Sequence, residues 1–257
     1  MGGKGNINRI IKIENKIRRI FLSHYKDSGG GAYQLKSNLN VYRFRKQILK
    51  CVEVIPKNSN VLEVGCGSGY VLSMLKKLRP DIKIKGSDIS PSSTWRMLKK
   101  QGIKLIKDDT TKSSFPSNKF DVVISFGVME HTSNDQAFLK EVYRLLKPGG
   151  LNLMFNLPNK YALNDFLART FKIGGHEQRY TKKQIISLFK EHGFENIIAE
   201  KEFLIPAQVN RISRWLNGFF NKHYEAINRL DNFLMKTHLS IFAQTYFINS
   251  KKPSRKG

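Results

Sequence analysis

The stretch VLEVGCGSG, residues 61–69, decides the fold class of this chain of 257 residues. Mostly apolar residues at 61–64 lead into Gly65, Gly67 and Gly69, and a new apolar run begins at Tyr70. Glycine lacks a Cβ and tolerates positive φ, so such a turn lets the backbone approach a ligand closely. The spacing differs from the GxGxxG of dinucleotide dehydrogenases, and no Gly-Lys-Ser/Thr follows, which excludes a P-loop.

Beyond the glycine cluster, runs that predict strands alternate with runs that predict helices. This alternation indicates right-handed crossovers between parallel strands, and nearly continuous apolar strands suit a sheet covered on both faces. We therefore predict an α/β fold with a Rossmann-like, doubly wound and mostly parallel sheet of seven strands. The predicted strands cover 60–64, 81–86 with an end near Asp88, 103–106, 120–126, 151–157, 197–203 and 239–248. The predicted helices cover 70–78, 94–101, 134–146 and 181–192, the last with Thr181 as its N-cap.

Residues 1–57 are predicted to form an N-terminal helical cap on a main domain that spans 58–257. The cap contains a basic amphipathic helix over 6–22, a glycine-rich flexible break at 27–31 and a second helix over 39–55. The basic helix is open to three interpretations: it caps a ligand, lies on an anionic membrane or packs on the fold.

A helical insertion is predicted over 206–237, before the last strand. Its apolar residues recur near one helical face, which is typical of a core helix and also of a lid over an apolar ligand. These residues are Ile212, Trp215, Leu216, Phe219, Phe220, Ile227, Leu230 and Leu234.

The charge is unusual, because 45 Lys and Arg residues against 20 Asp and Glu residues give a net charge of +25. This excess indicates either an anionic partner, such as nucleic acid, a membrane surface or a phosphorylated substrate, or the composition of an AT-rich genome. Two cysteines, Cys51 and Cys66, exclude a disulfide scaffold and a structural zinc cluster, and they favour a cytoplasmic protein. The basic end, 251–257, is expected to be a solvated tail.

The ordered motifs resemble those of class I S-adenosylmethionine-dependent methyltransferases, in the branch that acts on small molecules. The resemblance covers about 60–204 and a last strand, and it implies S-adenosylmethionine as the cofactor. It implies that the glycine turn, with Glu63 before it and Cys66 within it, holds the methionine part. The other matching motifs are SFGVMEH at 125–131, LLKPGG at 145–150 and RYT at 179–181.

By the same resemblance, Asp88 binds the ribose hydroxyls, since it lies 19 positions after Gly69 at the end of the second strand. Ile89 would pack on the adenine. Asp109, 11 positions before Phe120, would meet the adenine amino group with the Thr110 backbone nearby, and Asp108 is the alternative in this register. Ser125 begins the loop that would wall the methionine moiety.

These motifs say more about the cofactor than about which residues act on the methyl acceptor. An oxygen acceptor with a high pKa needs a base, and Glu130, His131 and His176 are the candidates. Each histidine is equally open to interpretation as a loop residue without a catalytic role. The resemblance to quinone-biosynthetic O-methyltransferases implies a Glu-x-x-Glu-His metal pattern, but Gly127 replaces the first Glu, so we predict no metal site.

The expected activity is methyl transfer to a small-molecule, glycan or lipid-like acceptor, at oxygen. Positions 125–128 lack the Asn/Asp-Pro-Pro-aromatic signature, which lowers the expectation of adenine-N6 or glutamine-N5 methylation. RNA methylation is an alternative that only the charge favours. A second alternative is a non-catalytic, cofactor-binding or membrane-associated protein. Peripheral contact with the inner membrane face stays open.

Overall fold

The computed structural model describes residues 4–24, 32–170, 176–207 and 214–254. It contains one sheet of seven strands in the order β3-β2-β1-β4-β5-β7-β6, in which β7 alone runs antiparallel to its neighbours. The predicted α/β fold with a mostly parallel, seven-stranded sheet is confirmed. The strands are β1 Asn60–Val64, β2 Lys83–Asp88, β3 Lys104–Lys107, β4 Phe120–Phe126, β5 Leu146–Pro158, β6 Glu195–Glu202 and β7 Thr245–Lys251.

Helices cover both faces of the sheet, and side-chain caps define the starts of several of them. Ser37, Asn134 and Thr181 each accept a hydrogen bond from a backbone N–H three residues later. Thr181 forms a capping box with Gln184, as its predicted N-cap role requires. The helices are α1 Lys4–His24, α2 Asn38–Val54, α3 Tyr70–Leu78, α4 Trp95–Lys100, α5 Asp135–Leu145, α6 Leu163–Thr170, α7 Lys182–Glu191, α8 Arg214–Lys222 and α9 Tyr224–Leu234.

The side chains of β4 show why both faces of the sheet are apolar. Val122 and Ile124 pack into the core with α2 and α3, whereas Phe120 and Val123 pack into the core with α5 and α7. The carboxyl ends of the parallel strands meet at one edge of the sheet, here called the carboxyl edge. Every loop that carries a predicted site residue leaves the sheet there.

The basic N-terminal helix packs on the fold. Ile10, Ile17 and Phe21 of α1 are buried, and the Phe21 ring meets the edge of the Tyr70 ring at a centroid distance of 5.6 Å. Of the three interpretations, packing is the one that these contacts show. The predicted break at 27–31 lies outside the described residues.

The insertion before the last strand is helical, as predicted, but it is divided into several elements. It forms two helices, α8 and α9, and a 3₁₀ turn at His238–Phe242, rather than one continuous apolar stripe. Ile227 is buried against Leu39 of α2, but Trp215 is 76% exposed. Phe219 and Leu230 are exposed as well, so of the two interpretations left open, the one as core does not apply to these residues. Ile212 lies outside the described residues.

Three predicted boundaries are also corrected. The last strand begins at Thr245 rather than 239, because the Asn159 amide donates to the carbonyls of Ile241 and Ala243 and holds them in a turn. β5 begins at Leu146 instead of 151, since Leu146 already pairs with Phe120.

The third correction concerns the basic end of the chain. Lys251 belongs to β7, and the Lys252 ammonium donates to the carbonyls of Tyr143 and Leu146. The expectation of a solvated tail is therefore wrong for 251–252, while 255–257 lie outside the described residues. Among the described helices, none has the length and hydropathy that crossing a membrane requires.

Candidate active site at the carboxyl edge

The glycine turn after β1 adopts backbone angles that favour glycine. Gly65, Gly67 and Gly69 have φ of 63°, 49° and 77°. A Cβ on Gly65 would lie 2.5 Å from Val128 Cγ2, and one on Gly69 would lie 2.3 Å from Leu98 Cδ1. A larger residue at Gly65 is opposed by both its positive φ and the branched Val128 side chain, whereas at Gly69 it is opposed by the positive φ and would require Leu98 to move.

Two side chains that the sequence analysis did not single out hold this turn. The Thr94 hydroxyl donates to the Ser68 carbonyl at 2.7 Å, and the Trp95 indole N–H donates to the Gly67 carbonyl at 2.8 Å. Both residues are buried at the start of α4. Their polar atoms stand next to a predicted helix start, a signal that could have indicated a supporting role.

Glu63 is buried at the end of β1, and its Oε2 accepts no hydrogen bond from the described residues. Burial raises the pKa of Glu63 well above its ordinary value, and the nearby Asp88 charge raises it further. The Cys66 thiol is also buried, and burial raises its pKa. Cys66 is therefore held as a neutral thiol that packs within the turn.

Asp88 ends β2 and lies against the glycine turn. Its Oδ2 accepts the Gly67 backbone N–H at 2.8 Å, and its Oδ1 accepts the Ser90 N–H at 2.9 Å. The next side chain, Ile89, is 61% exposed although it is large and apolar. A carboxylate beside an exposed apolar side chain suits a ligand with a hydroxylated part and a flat apolar part.

Asp108 and Asp109, which follow β3, have different hydrogen-bond partners. Asp108 is buried and accepts hydrogen bonds from the Ser113 hydroxyl and the Ser114 N–H, so it holds its own loop. Asp109 is partly exposed, and its Oδ1 accepts both the N–H and the hydroxyl of Thr111, which lowers its pKa. Thr110 between them is buried. Of the two carboxylates, Asp109 is the one that solvent reaches more freely.

The loop after β4 returns toward the glycine turn. Ser125 is buried, and its Oγ has no hydrogen-bond partner among the described residues. Gly127 follows with φ of 63°, and a Cβ there would lie 3.2 Å from Glu130 Oε1. The loop thus brings Glu130 within reach of the same edge.

Glu130, His131 and His176 come together although His176 is 45 positions beyond His131 in the chain. Their potential ligand atoms lie within 4.8 Å of one another. His131 Nε2 is 4.0 Å from Glu130 Oε1, and the two imidazole centroids are 6.1 Å apart. The structure therefore brings together all three residues that we predicted as catalytic.

The surroundings of Glu130 and His131 favour the uncharged form of each side chain. Glu130 is buried, and burial raises its pKa to about 8. The His131 side chain is 69% exposed, and partial burial and the neighbouring His176 lower its pKa. A buried carboxyl that titrates near neutral pH can accept a proton from a substrate.

A second layer of polar residues orients His176, and the sequence analysis missed it. His176 Nδ1 is 2.9 Å from Asp165 Oδ1, and its backbone N–H donates to the same oxygen. The buried Asp165 also lies 3.5 Å from the Arg179 guanidinium. Asp165 is a lone carboxylate on an apolar helix, the type of residue that is buried only with partners.

A buried hydrogen-bond network lies beside the loop after β4. The Gln47 amide on α2 donates to Asn156 Oδ1 and to Glu202 Oε2, each at 2.7 Å. Asn156 has φ of 63° near the end of β5, and its Cβ would lie 3.8 Å from a Cβ on Gly127, the same point that Glu130 Oε1 approaches. The network ties the N-terminal helices to the carboxyl edge.

These features fit S-adenosylmethionine. The buried oxygens of Glu63 and Ser125, which lack partners among the described residues, the glycine turn and the Asp88–Ile89 pair offer the polar and apolar contacts that this ligand can make. A mostly parallel sheet with one reversed strand and a glycine turn after β1 is typical of the class I S-adenosylmethionine-dependent methyltransferases.

Comparisons with known proteins agree. A family model described as a methyltransferase domain matches residues 35–199, and this chain belongs to that family. The chain is 28% identical over 146 residues to an uncharacterized methyltransferase, YdaC, of Bacillus subtilis, covering 56% of this chain and 75% of YdaC. It is 26% identical over 216 residues to a demethylmenaquinone methyltransferase of Listeria monocytogenes, covering 72% and 89% of the two chains.

A solved structure of Haemonchus contortus phosphoethanolamine N-methyltransferase 2 in complex with S-adenosylmethionine superposes with a TM-score of 0.59. It is 18% identical and covers 83% of this chain and 53% of that chain, so it shows a shared fold. The protein is an S-adenosylmethionine-dependent methyltransferase.

Proposed function

We propose that this enzyme methylates an oxygen atom of a small, lipid-like acceptor of the quinol type, with Glu130 as the proton acceptor. The observation that supports this most directly is the buried Glu130 carboxyl between His131 and His176 at the carboxyl edge. A quinol hydroxyl is a weak acid, so its oxygen attacks readily only when a nearby base removes the proton.

In this proposal, the methionine part of the cofactor is bound by the Glu63 carboxyl and by the turn of Gly65, Cys66, Gly67 and Gly69, and Ser125 walls it.

A separate group of residues binds the nucleoside. Asp88 accepts hydrogen bonds from the ribose hydroxyls, Ile89 packs on the adenine, and Asp109 with the Thr110 backbone meets its amino group. Bound S-adenosylmethionine supplies an electrophilic methyl group on a sulfonium.

The protein side chains remove the proton of the acceptor and position its oxygen. Glu130, which is buried, takes the acceptor proton onto its carboxylate. His176 Nδ1 contacts Asp165, and its Nε2, which has no hydrogen-bond partner among the described residues, holds the acceptor oxygen beside the exposed His131. Positioning the acceptor in line with the methyl group contributes most of the rate, because the sulfonium is already activated.

The similarity to a demethylmenaquinone methyltransferase supports a quinone-like acceptor, since its name states an apolar ring compound as the substrate. A lipid-like acceptor also agrees with the many exposed apolar side chains in 161–167 and 215–242.

The test uses the full chain with methyl-labelled S-adenosylmethionine and a reduced neutral-lipid extract of the source cells. We expect label in the neutral-lipid fraction as an ether that resists mild base. Glu130→Gln should lower the rate by roughly a hundredfold or more, while the matched variant Glu177→Gln, an exposed acid beside His176, should not. Label confined to RNase-sensitive material would contradict the proposal.

A further inference from the structure

Exposed apolar side chains are concentrated in one part of the molecule. Of the fifteen large apolar residues that are exposed among the described residues, eleven lie in 161–167 and 215–242. They include Phe166 on α6, Trp215 and Phe219 on α8, Phe233 on α9, and Ile241 and Phe242 in the following turn. We call the exposed faces of α6, α8, α9 and the turn His238–Phe242 the apolar–basic surface.

These elements are neighbours. α8 contacts α9, and α9 contacts the turn His238–Phe242. The Asn159 amide, just before α6, donates to the Ile241 carbonyl of that turn. The Trp215 and Phe219 rings stack one helical turn apart at a centroid distance of 6.0 Å. The exposed residues therefore belong to adjoining elements and are not single apolar residues scattered over the protein.

The surface lies at the carboxyl edge, where the candidate active site is. β5 ends at Pro158 and β6 ends at Glu202, and both ends pair with Thr245, the first residue of β7. The segments 159–170 and 203–242 therefore leave the sheet at this edge. α8 and α9 pack on α2, whose Gln47 reaches Asn156 beside Gly127.

The same elements are strongly cationic. Lys160, Arg169, Lys222, Arg229 and Lys236 are exposed within 160–170 and 214–242. In these two ranges Glu225 is the one acidic residue among the described side chains that is exposed, because Asp165 and Asp231 are buried. Aromatic and aliphatic side chains among cations are typical of protein segments that lie in the interface of an anionic membrane.

We propose that the apolar–basic surface docks on an anionic phospholipid bilayer, from which the enzyme takes its lipid-like acceptor. The second part of this inference rests on the proposed function, whereas the docking does not. A second copy of the chain is a poorer occupant, because it would bring two sets of cations together. Nucleic acid would match the cations, but it offers no apolar phase for Phe233 and Ile241.

Sedimentation with vesicles tests the docking on the full chain without cofactor or acceptor. We expect binding to vesicles of mixed phosphatidylcholine and phosphatidylglycerol at low salt, and weak binding to phosphatidylcholine alone. The double variant Trp215→Ser/Phe233→Ser should lose this binding. The matched control Ile106→Ser removes an exposed apolar residue on β3, away from the surface, and should bind normally.

Charge reversal separates electrostatic docking from a general effect of basicity. Lys222→Glu/Lys236→Glu should weaken binding to the mixed vesicles by at least about thirtyfold, the loss expected from removing the two positive charges alone. Lys83→Glu/Lys104→Glu makes the same charge change at the starts of β2 and β3, the opposite edge of the sheet, and should have little effect. Equal losses in both double variants would overturn the assignment to this surface.

Tryptophan emission gives a second readout. The chain has two tryptophans, and Trp95 is buried whereas Trp215 is exposed. We expect the emission to shift to shorter wavelength when mixed vesicles are added, and Trp215→Phe to abolish the shift. Binding without any shift would overturn the proposal, as would dimerisation in solution that Trp215→Ser/Phe233→Ser prevents.

The two proposals fail in different ways. Normal vesicle binding without label in any lipid would refute the proposed acceptor and leave the docking intact. Methylation of a detergent-dispersed quinol without vesicle binding would refute the docking and leave the proposed function intact.

Discussion

The carboxylate of Asp88 accepts the backbone N–H of Gly67 over 2.8 Å, so the end of β2 holds the glycine turn that follows β1. The parallel pairing of these strands aligns Val64 with Ser87 and leaves Asp88 level with the turn. One side chain can therefore shape the turn and, with its remaining lone pairs, bind a ligand.

Asp88→Ala should weaken binding of S-adenosylhomocysteine by about 1.5–3 kcal/mol, the scale for hydrogen bonds to a charged group. Titration calorimetry measures this difference. Asp81→Asn, an exposed carboxylate at the other end of β2, is the matched control and should leave the affinity unchanged. Affinity within about twofold of wild type would remove Asp88 from the cofactor site.

Gly65→Ala should lower both cofactor affinity and the free energy of unfolding. The new Cβ would lie 2.5 Å from Val128 Cγ2, and a positive φ alone costs an alanine about 1–2 kcal/mol. Gly218→Ala on α8 is the control, since its Cβ would meet nothing within 4 Å and helix propensity should raise stability by up to about 1 kcal/mol. Urea titration compares them, and equal stabilities would contradict the prediction.

The rate should rise with pH through about 8 as Glu130 loses its proton, and Glu130→Gln should remove this limb of the profile. A rate profile that stayed the same in Glu130→Gln would place the base elsewhere.

The free energy of unfolding should fall with rising pH over the range in which the rate rises. Because burial raises the pKa of Glu130 from 4.5 to about 8, the folded state binds more protons than the unfolded chain between these values. The free energy of unfolding of the wild type should thus fall, relative to Glu130→Gln, as pH rises through this window. Denaturation of both proteins at several pH values tests it, and parallel pH dependences would show that Glu130 titrates normally.

Arg43→Leu should destabilise the protein by about 3 kcal/mol. The buried Arg43 guanidinium donates to the Ile205 carbonyl and lies 3.6 Å from the buried carboxylate of Asp231 on α9. Its loss would leave Asp231 buried without a cation and loosen the insertion. Lys140→Leu, an exposed cation on α5, should change stability by less than about 0.5 kcal/mol. Similar losses in both variants would contradict this view.

Methyl transfer should continue in the presence of EDTA. Glu130, His131 and His176 form a group of three potential ligands among the described residues, and the His131 side chain is largely exposed. A closed zinc site has four ligands, and Gly127 offers none at the position of the first Glu in the resembled pattern. Activity that EDTA removes and a divalent ion restores would show instead that these three residues bind a metal.

The sheet was predictable because its signals are local. An apolar strand, a glycine turn and a helix follow one another within 60–78, and similar units repeat along the chain. Boundaries were less predictable where distant groups decide them. The turn at His238–Phe242 has the apolar composition of a strand. The Asn159 amide, however, donates hydrogen bonds to the carbonyls of Ile241 and Ala243 and so holds the end of this segment in a turn.

The candidate catalytic residues were named from the sequence, but their supporting groups were not. Asp165 is unremarkable in the sequence, and Arg179 was noted only as part of the RYT motif, because their meeting near His176 depends on contacts between distant segments. The same holds for Gln47 and Asn156, which lie 109 positions apart.

The sequence by itself determined the α/β class, the order of the glycine turn and the two carboxylates, and the family. These depend on short-range periodicity and spacing, which the chain order records directly. Only the tertiary structure decided that Glu130 is buried beside His176 and that Trp215 and Phe233 face outward. Periodicity tells that a helix has an apolar face, whereas the packing of distant segments decides whether anything covers it.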